Sequence, residues 1–211
     1  MKYTKKQIQQ MNRVKRLKLI NSVSGIKPAN LIGTIDNDGN TNLAIFSSVL
    51  HLGSEPALLG FIVRPTGEVP RHTYENIMKN GEYTINHIHH SFTERAHYTS
   101  AKFEKEISEF QACNLTQEFV KDFKAPFVKE SRLKMGMKFI EAIPIPHNST
   151  AIMIGEIQHL LVADDAFTAD DDIDLEKIGG VGISGLNTYY SLNKKDRFPF
   201  VRLNEVPDFN T

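Results

Sequence analysis

Asn30-Leu-Ile-Gly-Thr-Ile-Asp-Asn-Asp-Gly-Asn-Thr-Asn-Leu-Ala-Ile-Phe46 contains two short runs rich in apolar and β-forming residues on either side of an Asp-Gly pair. The Asp-Gly pair favours the tight turn of a β-hairpin, because both central positions of such a turn require unusual backbone angles. The stretch therefore predicts two antiparallel strands, Asn30 to Asp36 and Thr41 to Phe46.

The rest of the chain predicts more strands, with helices inserted singly between them. Further strands are expected at residues 57–63, 83–88, 137–144 and 151–162, and helices at residues 4–21 and 70–80, while residues 91–110 are expected to be helical in whole or in part. Strands and helices do not alternate regularly, which excludes a doubly wound parallel sheet. We therefore expect a mainly β fold with peripheral helices, built on a small antiparallel barrel.

The composition predicts a single soluble domain spanning residues 1–211, with a C-terminal extension from residue 164. The 25 basic and 25 acidic residues balance, which argues against a nucleic-acid partner. No apolar stretch is long enough to span a bilayer, and the charged N-terminus lacks a signal-peptide core. Cys113 is the sole cysteine, so no intrachain disulfide can form. These observations predict a cytoplasmic protein without a membrane partner, in which the basic face of the first helix is solvated.

Two polar loops are candidate binding elements. The first is Asn42-Leu-Ala-Ile-Phe-Ser-Ser-Val49, and the second is Arg64-Pro-Thr-Gly-Glu-Val-Pro-Arg-His-Thr73. The second loop leads into a predicted helix, whose N-terminal amides and positive dipole suit a phosphate group. Hydroxyl and guanidinium groups are further phosphate ligands. Helix capping and surface charge explain the same residue types equally well, so this pattern alone leaves both interpretations open.

Six short features occur in register along residues 30–162. They are Asp38-Gly39, Asn42 followed by Ser47-Ser48, Glu55-Pro-Ala-Leu58, Thr73-Tyr-Glu-Asn-Ile77, Gly81-Glu-Tyr-Thr-Ile-Asn86 and Gly155-Glu-Ile157. With these features the chain resembles the flavin reductase-like, FMN-binding split-barrel family.

The resemblance implies a six-stranded antiparallel split barrel that binds FMN, usually at a homodimer interface. By position, Phe46, Ser47, Ser48 and Val49 would line the flavin ring. Asn86 would lie close to the flavin. The phosphate would be surrounded by one of the two serines together with Arg64, Arg71, His72 and Thr73, with Lys102 as a weaker candidate.

The resemblance also implies an oxidoreductase that passes hydride from NADH or NADPH to the flavin. The cofactor supplies that chemistry, so the absence of an obvious acid–base pair does not argue against an enzyme. No catalytic residue is identified from the sequence. Two alternatives remain open: an FMN carrier or sensor without turnover, and a split-barrel oxidase of the pyridoxamine-phosphate oxidase kind.

Four other patterns have simpler interpretations. Gly180-Val-Gly-Ile-Ser-Gly185 has dinucleotide-motif spacing but lacks a surrounding βαβ unit, so a flexible surface segment is expected. The histidines at 87, 89, 90 and 97 are expected in loops near the flavin and not at a metal. The run Asp170-Asp-Asp-Ile-Asp174 lacks the calcium-loop pattern and is expected to open a helix. Cys113 is expected to be a packed or surface thiol.

Overall fold

The computed structural model describes residues 1–65, 67 and 70–209, and within them the fold is mainly β. Thr66, Glu68 and Val69 of the second polar loop lie outside the described residues. The strands are β1 Lys27–Pro28, β2 Asn30–Ile35, β3 Thr41–Phe46, β4 Leu50–Ser54, β5 Ala57–Val63, β6 Glu82–His87, β7 Gln117–Glu118, β8 Phe127–Val128, β9 Leu133–Ile145, β10 Thr150–Val162, β11 Val181–Ser184 and β12 Thr188–Ser191. The α-helices are α1 Lys5–Gln10, α2 Arg13–Ser22, α3 His72–Asn80, α4 Thr93–Tyr98 and α5 Glu109–Ala112.

The predicted hairpin is confirmed. Strands β2 and β3 pair antiparallel, from Asn30 opposite Phe46 to Ile35 opposite Thr41. The Asp36 carboxylate accepts the backbone N–H groups of Asp38 and Asn40 at 2.9 and 2.8 Å, which fixes the turn. Gly39 lies in the left-handed region with φ of +88°, where a side chain would be strained.

The main sheet has seven strands, so the expected count of six was wrong. Its order is β3-β2-β6-β9-β10-β5-β4, and every neighbouring pair is antiparallel. The additional strand is β4, which pairs only with β5 and is largely exposed. An exposed edge strand needs no apolar alternation, and this explains why the pattern did not reveal it.

The connection between the two edge strands curls the sheet into a split barrel. Strands β3 and β4 lie at opposite edges, yet only residues 47–49 separate them in the chain. Four residue steps span at most roughly 14 Å, so the two edges must approach each other. Ser48 fastens this junction, since its Oγ accepts the Ile62 N–H at 3.0 Å and lies 3.4 Å from the Ile62 carbonyl oxygen.

Two apolar clusters hold the barrel and its covering elements together. The inner cluster includes Ile32, Phe61 and Tyr83, all fully buried, with Phe61 edge-on to Tyr83 at 5.6 Å. The second cluster joins Leu31 and Leu43 to the helical segments and to β11. The core thus lies on both faces of β2, which explains why almost every residue of that strand is buried.

The expected helix at residues 4–21 is two helices. Thr4 caps α1 in a capping box with Gln7, as its sequence position indicated. The Asn12 side chain then accepts the N–H groups of Val14 and Lys15, which starts α2 as a separate helix. Neither helix contains a buried residue, so no packing against the barrel holds them in one line.

Residues 91–110, expected to be helical in whole or in part, are partly helical: they contain a 3-10 turn, α4 and the start of α5, and the chain leaves helical geometry after Tyr98. Two further expectations were wrong. Residues 170–174 form turns and not a helix start, and Arg197 pairs there with Asp170 and Asp172. Residues 180–185 are not a flexible surface segment: β11 pairs with β1 and β12, and Val181 and Ile183 are buried.

Candidate functional site

A cleft of about 650 Å³ opens beside the junction of β3 and β4. Its walls come from the end of β3 with the two following serines, the end of β5, the first turn of α3, and residues 99–104. Leu186, in the turn between β11 and β12, also contributes to the wall. This volume falls in the range of roughly 300–1,000 Å³ typical of cofactor and small-molecule sites.

The cleft brings together most of the side chains expected at a flavin. They are Phe46, Ser47, Ser48, Arg64, Arg71, His72, Thr73 and Lys102. These residues come from four separate segments of the chain, so the fold, and not sequence proximity, assembles them.

Val49 and Asn86 do not line the cleft. Val49 packs against the inner apolar cluster of the barrel. Asn86 is fully buried in β6, where its Nδ2 donates to the Leu31 carbonyl at 3.1 Å and its Oδ1 accepts the Val128 N–H at 2.9 Å. The amide of Asn86 is therefore used to join strands, and the expectation that it lies close to the flavin is not supported by its position.

The first turn of α3 presents unpaired backbone donors to the cleft. Arg71 precedes the helix without a capping side-chain bond, and the N–H groups of His72, Thr73 and Tyr74 have no acceptor among the described residues. The Glu75 carboxylate accepts the Arg71 N–H at 3.2 Å, so this amide already has a partner. Such a turn favours an anion through its directed donors and its dipole.

Thr73 is held in place by a buried polar network. The Asn42 Nδ2 donates to the Thr73 Oγ1 at 3.0 Å, and both residues are less than a tenth exposed. Behind them, Thr34 Oγ1 accepts from Asn76 at 3.1 Å. Since the Thr73 oxygen accepts a bond from Asn42, its own O–H is available to donate into the cleft.

Positive charge dominates the cleft lining. Arg64, Arg71 and Lys102 contribute cationic groups, whereas Glu104 and Glu109 contribute carboxylates. The Arg71 Nε donates to the Pro65 carbonyl at 3.3 Å, which positions the guanidinium beside the helix start. The remaining guanidinium N–H groups have no acceptor among the described residues, so they can serve an anionic ligand.

Glu109 is a buried, charged cleft residue that the sequence did not indicate. Its side chain is 6% exposed, and its Oε2 accepts the Leu43 N–H at 2.8 Å. Burial raises the pKa of Glu109, against the lowering effect of the Leu43 bond and of nearby His72. In the sequence, Ser108-Glu109-Phe110 has only the pattern of a helix start, which gives no sign of a buried carboxylate.

The expected histidine patch lies outside the cleft. His89 and His90 stack with ring centroids 4.0 Å apart, and His97 Nδ1 lies 3.0 Å from the Tyr189 hydroxyl. Burial lowers the pKa of His87 to about 4. Across residues 1–65, 67 and 70–209, no three His, Cys, Asp or Glu side chains are close enough together to hold a metal ion. Cys113 is buried and unbonded to another cysteine.

Comparison with known proteins identifies the family. Residues 26–176 match the flavin reductase like domain. This chain belongs to that family.

Solved structures of similar proteins share the flavin reductase-like fold. A split-barrel protein from Shewanella frigidimarina NCIMB 400, assigned as a flavin reductase, is 51% identical over 95% of this chain and all of its own, with a TM-score of 0.91. Nitrilotriacetate monooxygenase component B from Bacillus cereus is 19% identical, with a TM-score of 0.83 over 94% of this chain and 98% of its own. Flavoredoxin of Desulfovibrio vulgaris (Miyazaki F) is 21% identical, with a TM-score of 0.74 over 95% and 98%. The two more distant likenesses establish the fold alone.

Membership of the flavin reductase-like family makes this chain a flavin-related oxidoreductase. The cleft lining fits a flavin carrying an anionic group, because it contains hydroxyl, guanidinium and ammonium groups together with the first turn of α3 and the aromatic side chain of Phe46. None of the helices within the described ranges combines the length and the hydropathy needed to span a bilayer.

Proposed function

We propose that this protein binds FMN in the cleft and reduces it with NADH or NADPH. The observation that carries the proposal is the convergence of Ser47, Arg71 and Thr73 with the free amides of α3, inside the region that matches the flavin reductase like domain. When bound, the flavin supplies a ring that accepts hydride, and the protein supplies binding and orientation.

The phosphate end of the proposed site is the start of α3. Thr73 donates its hydroxyl, the first-turn amides of α3 donate their N–H groups, and the Arg71 guanidinium and Lys102 ammonium add charge. Arg64 and His72 complete this end of the cleft. Charge-assisted donors of this kind bind phosphate oxygens more strongly than neutral donors do.

The ring end of the proposed site is the junction of β3 and β4. Phe46 packs edge-on against Phe61 with centroids 5.1 Å apart, which fixes the orientation of its ring. The Ser48 hydroxyl is occupied by the backbone of Ile62, so Ser48 shapes the wall while Ser47 is the serine left to bind. The role of these residues is to orient the flavin and to shield one face of it from water.

Purified protein mixed with FMN tests the proposal directly. We expect quenching of flavin fluorescence on binding, and oxidation of NADH or NADPH that depends on added FMN. Absence of any FMN binding contradicts the proposal. Binding without nicotinamide oxidation would instead identify a flavin carrier or sensor, and turnover of pyridoxamine phosphate would identify the oxidase alternative.

A further inference from the structure

Glu109 holds the exposed edge of the barrel sheet. Strand β3 is an edge strand that pairs only with β2, so the Leu43 N–H points away from the sheet. The Glu109 carboxylate accepts this N–H at 2.8 Å and so replaces a missing strand neighbour. Thr41 and Ser108 hydroxyls bond to each other at 2.7 Å and fasten the same edge.

The Glu109 carboxylate forms no ion pair of 4.0 Å or less with any described cation. Glu109 shares the cleft lining with the titratable or charged side chains of His72 on α3, Arg64 and Arg71 at the preceding strand end and loop, and Lys102 and Glu104 in the segment before α5, while Cys113 lies directly after α5. Strand β3 contributes only uncharged groups to this side. Glu109 is therefore a buried carboxylate in the wall of the same cleft that the first turn of α3 lines with hydrogen-bond donors.

We infer that Glu109 is a specificity-determining residue, which opposes the flavin phosphate by like-charge repulsion and keeps the bound flavin exchangeable. The inference rests on the proposed function. Glu109 is linked to the first turn of α3 through two consecutive residues of β3, because it accepts the Leu43 N–H and the adjacent Asn42 donates to Thr73. A carboxylate this deeply buried is poorly screened by solvent, so its repulsion of a second anion is strong.

Holding the strand edge does not by itself require a negatively charged side chain at position 109. A neutral amide oxygen would also accept the Leu43 N–H, whereas a carboxylate adds a charge to the wall of the cleft. A reduced flavin that leaves the protein dissociates faster from a site that binds its phosphate less tightly. Burial also raises the pKa of Glu109, and a neighbouring phosphate raises it further, so FMN binding draws a proton toward this group.

The test compares FMN with riboflavin, which has the same ring and no phosphate. In Glu109→Gln the amide oxygen keeps the Leu43 bond and the charge is lost. We expect this variant to bind FMN about tenfold more tightly than the wild type at pH 7.5, with riboflavin affinity unchanged. An unchanged ratio of the two affinities would overturn the inference while leaving FMN binding itself intact.

A second variant and a pH series keep the result interpretable. Glu109→Asp retains the charge and shortens the reach to Leu43, so its FMN-to-riboflavin ratio should stay near the wild-type value. The FMN phosphate loses its own second proton near pH ~6, and this loss changes FMN affinity by itself. The pH dependence of FMN affinity in Glu109→Gln measures that contribution without the Glu109 charge. Relative to Glu109→Gln, the wild type should lose FMN affinity as pH rises. The same pH dependence of FMN affinity in both proteins would contradict the proposal. A wild type that binds no FMN would instead refute the proposed function.

Discussion

Thr73 shows how one residue connects the core to the cleft. Its Oγ1 accepts a hydrogen bond from Asn42, which lies on β3, while its backbone lies in the first turn of α3. The Thr73 hydroxyl therefore fixes the position of α3 relative to the barrel, and its own proton is available to a ligand in the cleft. Arg71 directly precedes α3, and its side chain is positioned by the hydrogen bond that it donates to the Pro65 carbonyl.

Removing both groups should abolish most of the phosphate recognition. For Arg71→Ala combined with Thr73→Ala we expect FMN affinity to fall roughly 100-fold, because a charge-assisted bond and a hydroxyl bond are lost together. Fluorescence titration with FMN measures the change. Riboflavin serves as the control ligand and should lose little affinity, so an equal loss for both ligands would place the phosphate elsewhere.

His87 predicts a loss of stability in mildly acidic solution. Burial lowers the pKa of His87 to about 4, whereas an unfolded histidine titrates near pH ~6.5. Between these values the unfolded chain binds a proton that the folded chain does not, so stability falls as pH drops from about 6.5 to about 4. Asp36, whose pKa is lowered by bonds to Asn40 and Lys105 against the raising effect of its burial, acts only below this window.

Thermal unfolding at pH 7 and pH 5 measures this effect. The midpoint temperature of unfolding should fall more between pH 7 and pH 5 for the wild type than for His87→Gln, because the glutamine at position 87 does not titrate. Equal losses in the two proteins would show that His87 does not carry the acid sensitivity.

At the scale of elements, β6 and β10 make their closest approach at Gly155. A Cβ at this glycine would lie 2.1 Å from the Tyr83 hydroxyl oxygen, and Tyr83 is fully buried. The tyrosine ring has no room to move aside because it packs edge-on against Phe61.

Gly155→Ala should therefore destabilise the protein by about 1–3 kcal/mol through overpacking. Chemical denaturation gives the change in the free energy of unfolding. Gly53→Ala is the matched control, because a Cβ there would meet only the Pro56 carbonyl at an ordinary 3.6 Å, on the exposed strand β4. If the two substitutions cost the same, the close approach to Tyr83 does not limit the packing.

The elements that the sequence predicted are those with local signals. The Asp-Gly turn indicated β2 and β3, and Thr4 indicated a helix start, because both depend on neighbours in the chain. Strand β4 has no such signal, since it is exposed and held only by pairing with β5.

The cleft was predictable only in part, for the same physical reason. The residues before α3 could be expected at an anion because a helix start has local chemistry. The inward position of Glu109 and the structural use of Asn86 depend on contacts with Leu43 and Val128, which lie about 40 residues or more away in the chain. Tertiary contacts of this kind leave no trace in local pattern.

At the scale of the whole molecule, the chain ends carry apolar side chains with nothing over them. Phe200 is 91% exposed and Leu203 is 93% exposed, and α2 has no buried residue. Large apolar groups in such numbers on one terminal segment are typical of an interaction surface. The homodimer implied by the family resemblance offers a partner for this surface and stays a prediction, as does a cytoplasmic location.

Light scattering coupled to size exclusion tests the assembly. We expect a particle of about twice the chain mass of 23.9 kDa, and a shift toward the single-chain mass for Phe200→Ser combined with Leu203→Ser. Lys195→Ser, a polar change in the same terminal segment, is the control and should leave the mass unchanged. A wild type that elutes as one chain at micromolar concentration would contradict the prediction.

The bond from Glu109 to the Leu43 N–H makes one amide proton of the barrel an internal reporter. The Leu43 N–H points away from the sheet, and its bond to the Glu109 carboxylate protects it from exchange with solvent deuterium, so loss of this bond should speed its exchange. Hydrogen-exchange spectra followed at Leu43 should therefore register any ligand that pulls or pushes on Glu109. The exchange rate of the Leu43 amide proton thus reports whether the cleft is occupied, without an attached label.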